Sequence, residues 1–118
     1  MTNMINKRKV GNKYENIAKK YLENNGYKII TQNFFSKIGE IDIVAENDGT
    51  LCFIEVKYRD KDSLASGLYA VDKKKQKTIY NVAKLYMLKN NINENITCRF
   101  DVISVDGDEI TLIKNAFP

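Results

Sequence analysis

The spacing of apolar residues changes period along the chain, and each change marks a boundary between predicted elements. In the N-terminal part, apolar residues recur at intervals of three and four, which predicts an amphipathic helix that ends at Asn25-Gly26. The apolar stripe of this helix consists of Val10, Tyr14, Ile17, Ala18, Tyr21 and Leu22. Three runs typical of β-strands follow it, at residues 27–35, 40–46 and 51–58.

The second half of the chain has a similar order of helix and strands. A polar loop at residues 60–67 precedes a second helix, for which Asp72 is the predicted N-cap. The buried stripe of this helix is predicted to be Val71, Ile79, Val82, Ala83 and Tyr86. A connector at residues 90–95 leads to strands at 97–105 and 109–113, joined by the turn-forming triplet Asp106-Gly107-Asp108. The order αβββαββ predicts one α/β domain, residues 1–118, with a mixed central sheet flanked by helices.

Turn chemistry predicts the register of the central hairpin. Asp48-Gly49 is a favoured dipeptide for a two-residue type I′ turn, and such a turn pairs Asn47 with Thr50. Counting outwards from the turn, Asp42 then lies opposite Glu55. Directly opposed residues on antiparallel strands have Cβ atoms about 4.5–5.5 Å apart. We therefore expect two carboxylates to meet across this hairpin.

The same register puts Glu40 opposite Lys57, and it puts Lys57 on the face of Glu55 because residues two apart in a strand share a face. The opposite face is predicted to be apolar and covered by a helix; its residues are Ile41, Ile43, Ala45, Cys52, Ile54 and Val56. The face of the two acids is itself partly apolar, since it also carries Val44, Leu51 and Phe53. This composition argues against a plain solvated surface.

Opposed like charges on a sheet are destabilising, so we expect something to offset them. A hard cation such as Mg²⁺ would do so, because it binds one or two carboxylates together with waters and phosphate oxygens. The alternative is that both acids are exposed residues of an ordinary hairpin. Glu15 borders the stripe of the first helix and is either a third acid of the site or a surface residue. Asp72, Lys75 and Gln76 either face one end of the sheet or form a solvated first turn.

The net charge is only +4, but 12 of the 19 basic residues lie in the two predicted helices. Acidic residues there are limited to Glu15, Glu23 and Asp72. Such clustering favours a polyanion as partner, although helices also carry lysines simply for solubility. The basic residues that we assign to nucleic-acid binding are Lys13, Lys73, Lys75 and Lys77.

Composition excludes several other classes of protein. No apolar run approaches the ~20 residues of a membrane span, and the N-terminal segment lacks the apolar stretch of a secretory signal, so we expect a cytoplasmic protein without membrane association. Cys52 and Cys98 lie in apolar strands, as buried reduced thiols usually do. With no histidine and no C-x-x-C motif, the chain does not fit a structural zinc site.

These residues together carry a resemblance to known proteins. The chain resembles the restriction-endonuclease-like superfamily in one arrangement of residues. Asp42 is followed by Glu55-x-Lys57 across a hairpin, after a helix with a glutamate and before a basic helix. More closely, the chain resembles the bacterial YraN-like family of predicted endonucleases, which is related to archaeal Holliday-junction resolvases. The stretches that carry this likeness cover nearly the whole chain: YENIAKKYLENNGYKII, NFFSKIGEIDIVA, FIEVKYR, AVDKKKQK, RFDVISV and the terminal NAF.

The resemblance implies an αβββαβ core and a metal-dependent nuclease that is directed by the structure of its substrate. It implies that Mg²⁺ or Mn²⁺ is held by Asp42 and Glu55 with the backbone carbonyl of Val56, and that Lys57 is the signature lysine. Glu15 is implied as a helix-borne catalytic carboxylate and Gln76 as a catalytic polar residue of the second helix. DNA is favoured over RNA as substrate, and a homodimer is open because resolvases make two cuts with two sites.

Two other functions remain open at this stage. The first is a non-catalytic nucleic-acid-binding module that retains the nuclease fold. The intact set of Asp42, Glu55 and Lys57 favours the enzyme, since a degenerate copy commonly loses one of them. The second is a protein-interaction subunit, for which the sequence has no positive feature.

Overall fold

The computed structural model describes the backbone of residues 3–59 and 71–117, with side chains for residues 12–58 and 71–117. Within these ranges the chain forms two helices and five strands in the predicted order. The elements are α1 (Asn3–Asn24), β1 (Lys28–Ser36), β2 (Gly39–Asn47), β3 (Thr50–Arg59), α2 (Lys73–Lys89), β4 (Cys98–Asp106) and β5 (Glu109–Ile113). The polar loop predicted at residues 60–67 lies outside the described residues.

The five strands form one sheet in the order β1-β2-β3-β4-β5. Neighbouring strands are antiparallel except β3 and β4, which are parallel and therefore need a crossover connection. Helix α2 lies in that connection and packs on one face of the sheet, whereas α1 packs on the other. The predicted α/β class with a mixed sheet between helices is thus confirmed, and the arrangement is consistent with a restriction-endonuclease-like core.

Helix α1 buries Ala18 and Leu22 against its face of the sheet. The helix ends in a Schellman motif, in which the Tyr27 N–H donates to the Leu22 carbonyl at 3.0 Å and the Gly26 N–H donates to the Glu23 carbonyl at 3.3 Å. Gly26 has a φ of 88°, a value that glycine adopts without strain. The predicted stop at Asn25-Gly26 is confirmed.

Helix α2 begins with the predicted N-cap, because the Asp72 carboxylate accepts a hydrogen bond from the Lys75 N–H at 2.8 Å. The residues that it buries against the sheet are Ile79, Val82, Ala83 and Tyr86, as its stripe predicts. The helix crosses close to the start of β2. A Cβ atom at Gly39 would lie 2.8 Å from Thr78 Cγ2, so the absence of a side chain at Gly39 permits this approach.

The hairpin of β2 and β3 has the predicted turn and register. Asp48 and Gly49 have φ values of 52° and 77°, as a type I′ turn requires, and Asn47 pairs with Thr50. The described pairing continues in this register to Ile43 with Ile54 and ends there. The expected ladder pairs of Asp42 with Glu55 and Glu40 with Lys57 are therefore not formed as regular pairs.

The alternation of β2 is also interrupted at Asp42. Ile41 packs in the cluster under α2, whereas Ile43, two residues later, packs in the cluster under α1. The prediction that these two isoleucines share a face is wrong, because residues two apart share a face only in a regular strand. Strand β1 is irregular at the same level, where Asn33 has a φ of 55°. By contrast, β3 alternates regularly and keeps Glu55 and Lys57 on the α2 face with Phe53.

The predictions for the second hairpin and for the two thiols agree with the structure. The second hairpin turns at Gly107-Asp108, with Asp106 paired to Glu109 and a φ of 62° at Gly107. Both thiols are free, Cys52 buried and Cys98 half-buried. None of the described helices combines the length and the apolar character that a membrane crossing would need.

Candidate active site

The interruption of β2 frees Asp42 to bind the backbone of β3 with its side chain. Asp42 is half-buried, and its Oδ2 accepts a hydrogen bond from the Val56 N–H at 2.8 Å. A carboxylate therefore occupies a position where a regular antiparallel ladder would offer a carbonyl. This contact holds Asp42 against the peptide that joins Glu55 to Val56, and so it brings the predicted acid pair together without a ladder pair between them.

Glu55 lies on the α2 face of β3, where its side chain is only 15% exposed. Its Oε1 is 3.8 Å from the Lys75 Nζ, which α2 supplies from its first turn. Lys57 is half-buried, two residues further along the same face, and its positive charge also acts on Glu55. The structure thus gathers two acids and two lysines from β2, β3 and α2.

Glu15, on α1, is an electrostatic neighbour of Asp42. It is half-buried, and its Oε1 is buried without a hydrogen-bond partner in the described part of the chain. Its closest electrostatic neighbours are the carboxylates of Asp42 and Glu40. A buried carboxylate oxygen that lacks a donor is costly, which gives Glu15 a capacity to bind a cation or an ordered water.

The pKa values of the three acids are raised, chiefly by burial. Burial raises the pKa of Glu15 to about 7, and the charge of Asp42 adds to the effect. Burial and then the charge of Glu55 raise the pKa of Asp42 to about 7, although the Val56 N–H opposes this shift. Burial also raises the pKa of Glu55, against the opposing charges of Lys75 and Lys57. Burial and mutual repulsion therefore disfavour full ionisation of these acids in the metal-free site.

Glu40 is a further acid of the site that the sequence analysis paired only with Lys57. It is half-buried at the start of β2, and its charge contributes to the raised pKa of Glu15, of Asp42 and of Glu55. The signal in the sequence was the spacing Glu40-x-Asp42, which brings a second carboxylate to the end of the same strand. A regular register concealed it, because that register matched Glu40 with a lysine.

Of the other predicted residues, Lys75 contacts the acid pair and Gln76 contacts the backbone at the start of α2. The Gln76 Nε2 donates to the Val71 carbonyl at 2.7 Å, so this amide anchors the start of α2. Of the lysines assigned to nucleic-acid binding, Lys75 reaches Glu55, and the three others are exposed: Lys13, Lys73 and Lys77. A catalytic role for Gln76 and a binding role for these lysines remain predictions.

The donor set fits a hard divalent cation. Asp42 and Glu55 offer carboxylate oxygens whose mutual repulsion a cation would relieve, and Glu15 offers an oxygen without a partner. In residues 12–58 and 71–117, no three acids or thiols converge as a complete ligand set. Mg²⁺ does not require one, because it usually binds one or two carboxylates and keeps several waters.

The raised pKa values predict how the stability of the metal-free protein depends on pH. Asp42 has a pKa near 7 when folded and 3.8 as its reference value, so the folded state binds more protons between these limits. The stability that the Asp42 carboxyl contributes is therefore fully present below about pH 3.8 and is lost as the pH rises through 7. Between about pH 5.5 and pH 7.5, we expect Asp42 alone to lower the free energy of unfolding by about 2 kcal/mol.

Urea unfolding in the presence of a chelator measures this change. The chain has no histidine, so no imidazole titrates in the same range. Asp42→Asn should remove the share of Asp42 and leave the part that Glu15 and Glu55 contribute, whereas Glu46→Gln, at an exposed position of the same strand, should keep the full dependence. Stability that rises across this interval in the wild-type protein would contradict the assignment.

Comparison with known proteins identifies the family. Residues 14–105 match the family described as "Uncharacterised protein family UPF0102". A UPF0102 protein of Lachnoclostridium phytofermentans is 44% identical over 113 residues, which is 96% of each chain. One of Vibrio parahaemolyticus is 36% identical over 115 residues (96% of this chain and 95% of the relative), and one of Fusobacterium nucleatum is 40% identical over 111 residues (94% and 92%). The chain therefore belongs to the UPF0102 family, which is the YraN-like family that its motifs resemble.

Proposed function

We propose that this protein is a metal-dependent nuclease that hydrolyses phosphodiester bonds, and that it is a DNA endonuclease directed by the structure of its substrate. The observation that carries the proposal is the bond between the Asp42 carboxylate and the Val56 N–H. It joins two acids from neighbouring strands into one site with Lys57, and the charge of Asp42 also acts on Glu15, which has an unpartnered oxygen. An ordinary exposed hairpin does not need such an arrangement.

Asp42 and Glu55 would hold Mg²⁺ or Mn²⁺, with the Val56 carbonyl as a third protein ligand. When bound, such an ion lowers the pKa of a water and neutralises charge on the scissile phosphate. The Val56 N–H fixes the orientation of Asp42, so that its carboxylate does not have to be ordered when substrate arrives. Glu55 is held in a buried position between the charges of Lys57 and Lys75.

Lys57 would supply positive charge to the reacting phosphate. It lies on the same face as Glu55, and an ammonium group in a partly water-excluded site stabilises developing negative charge better than one in water. Glu15 would accept a hydrogen bond from the attacking water through its free Oε1 and so orient it. Gln76 would act indirectly, since its amide holds the end of α2 that bears Lys75.

Binding would come mainly from the exposed lysines of both helices. Lys13, Lys73 and Lys77 would bind phosphates on either side of the cleaved bond, with Lys75 close to the site. Contacts of this kind carry little sequence preference, and the affinity falls steeply with salt because counterions are released. We further propose that the protein works in the cytoplasm and that DNA rather than RNA is the substrate, with a homodimer if two strands are cut.

A cleavage panel tests the proposal. Single-stranded, duplex, flapped and four-way DNA are incubated with Mg²⁺ or Mn²⁺, beside the matching RNA strands. We expect cleavage of at least one branched substrate, loss of cleavage with a chelator, and a loss of about a hundredfold or more in Lys57→Ala. Lys28→Ala, which removes an exposed lysine of β1 outside both basic helices, is the matched control and should retain most of the rate.

The non-catalytic nucleic-acid-binding module is the alternative outcome. Such a module would keep salt-sensitive binding but would not need to bind metal at its carboxylates. Calorimetric titration with Mg²⁺ and Mn²⁺ distinguishes the two functions. Equal residual cleavage by the wild-type protein and Lys57→Ala after repurification would indicate a contaminating nuclease and would reject the enzyme.

A further inference from the structure

The turn between β1 and β2 exposes large apolar side chains beside the candidate active site. Phe35 is 68% exposed and Ile38 is 52% exposed, and the exposed Lys37 lies between them in sequence. We call these three residues the hairpin tip. Phe35 pairs with Glu40 across the two strands, and Glu40 contributes to the electrostatics of all three acids of the site. Phe35 is therefore a direct neighbour of Glu40 at the edge of the candidate site.

Neither the requirements of a tight turn nor packing in the core explains why these three residue types are found at the hairpin tip. Ser36 pairs with Gly39, so Lys37 and Ile38 form a two-residue loop, a position where glycine, asparagine and aspartate are usual. Phe35 adds nothing to the core at this exposure. The turn is nevertheless well held, because the Ser36 Oγ donates to the Gly39 carbonyl at 2.9 Å and accepts from the Ile38 N–H at 3.3 Å. A rigid turn thus presents an aromatic ring, an ammonium group and an aliphatic side chain.

We propose that the hairpin tip is a stacking platform for an unpaired nucleobase next to the scissile phosphate. This inference rests on the proposed nuclease function and specifies its substrate class. Exposed aromatic rings bind bases of any sequence through their π-faces, and apolar side chains can separate neighbouring bases. Lys37 would pair with a phosphate of the same strand, which gives the platform the charge that complements nucleic acid.

The composition of the hairpin tip favours nucleic acid over a second copy of the chain. Lysine is depleted from the cores of protein interfaces, yet here it lies between the two apolar residues. In a regular duplex every base is stacked on its neighbours, so no base is available to stack on the platform. Substrates with a bulge, a flap or a branch offer unpaired bases and should be preferred.

Binding to 2-aminopurine DNA tests the proposal without any cleavage. One probe is a perfect duplex, and the other is the same duplex with a single unpaired 2-aminopurine; both are titrated in a chelator, where metal-dependent cleavage cannot occur. We expect the wild-type protein to bind the unpaired probe on the order of tenfold more tightly and to change its fluorescence, because the base leaves its neighbours to stack on Phe35. Phe35→Ala should bring the two affinities within about twofold and abolish the fluorescence change. Leu88→Ala, at an exposed leucine of α2, is the matched control and should behave as wild type.

Three outcomes would overturn the proposal: no preference in the wild-type protein, an equal loss for both probes in Phe35→Ala, or sedimentation that shows a dimer dissociated by Phe35→Ala. The third would assign the hairpin tip to contact between copies of the chain. The measurement is independent of the nuclease activity. A protein that prefers the unpaired probe but cleaves no DNA would support the stacking platform and reject the enzyme.

Discussion

Asp42→Asn is expected to reduce metal-dependent cleavage by about a thousandfold or more while the protein stays folded and binds DNA with an unchanged salt dependence. The asparagine Oδ1 can still accept the hydrogen bond from the Val56 N–H, so the local backbone should be preserved. What the variant loses is the charge of one of two acids that would hold the cation. Single-turnover cleavage of the best substrate of the panel measures the loss.

The same substitution should not weaken the metal-free protein. It removes a buried charge that Glu55 and Glu40 repel, so its free energy of unfolding above pH 7 should equal or exceed that of the wild-type protein. Loss of activity with retained or increased stability is the pattern of a functional residue, since most substitutions destabilise. Glu46→Gln is the control for removing a negative charge from β2 and should change neither property.

Two results would contradict the role of Asp42. Cleavage by Asp42→Asn at more than about a tenth of the wild-type rate would mean that this carboxylate does not hold the catalytic ion. A variant that unfolds more easily than the wild-type protein above pH 7 would mean that the charge of Asp42 stabilises the fold. Calorimetry with Mg²⁺ gives an independent measurement, because the variant should bind the ion much more weakly.

Much of the fold was predictable because the residues at turns and helix ends favour the same local structures that the folded chain adopts. The Asp48-Gly49 turn defined a register that holds from Asn47–Thr50 to Ile43–Ile54, and Gly26 and Asp72 marked helix ends. Each of these signals depends on residues adjacent in sequence. The stripes of both helices were equally readable, because a helix buries residues at intervals of three and four.

The part of the site that the sequence did not predict depends on a side chain competing with the backbone. Alternation assigned Ile41 and Ile43 to one face, but the Asp42 carboxylate takes the Val56 N–H and the regular ladder stops. The alternation of apolar and polar residues predicts a regular ladder. It cannot predict that a side chain will replace a backbone carbonyl as acceptor. The grouping of Asp42 with Glu55 was still predicted correctly, although by a regular pair that does not form. Glu40 was missed for the same reason. The regular register paired it with Lys57, whereas its actual neighbours result from the interruption of β2 at Asp42.

A buried polar network on the other face of the sheet was also invisible to the sequence analysis. Its centre is the fully buried Asp101 on β4, which accepts hydrogen bonds from the Tyr27 hydroxyl, the Arg99 guanidinium and the Asn115 N–H. Arg99 also donates to the Asn47 Oδ1. These residues span most of the chain, so no local pattern links them. They join the end of α1, the β2–β3 turn and the segment after β5.

Asp101→Asn is expected to lower the free energy of unfolding by about 3–5 kcal/mol. Asp101 Oδ1 lies 2.8 Å from the Arg99 Nε and Oδ2 lies 2.8 Å from the Tyr27 hydroxyl, so both oxygens are used. An asparagine keeps one acceptor, turns an NH₂ group towards a donor, and leaves the Arg99 charge buried without its counterion. The expected loss is a large share of the 5–15 kcal/mol that a domain of this size typically has.

Urea unfolding at neutral pH measures this loss. The matched control is Asp108→Asn in the exposed β4–β5 turn, which should change the free energy of unfolding by less than about 0.5 kcal/mol. The folded fraction of Asp101→Asn should cleave DNA at the wild-type rate, because Asp101 binds Tyr27, Arg99 and Asn115, none of which belongs to the candidate site. A loss below about 1 kcal/mol would mean that Arg99 finds another partner or reaches water. A stable variant without activity would instead make the network part of the catalytic machinery, and its separation from the candidate site would have to be abandoned.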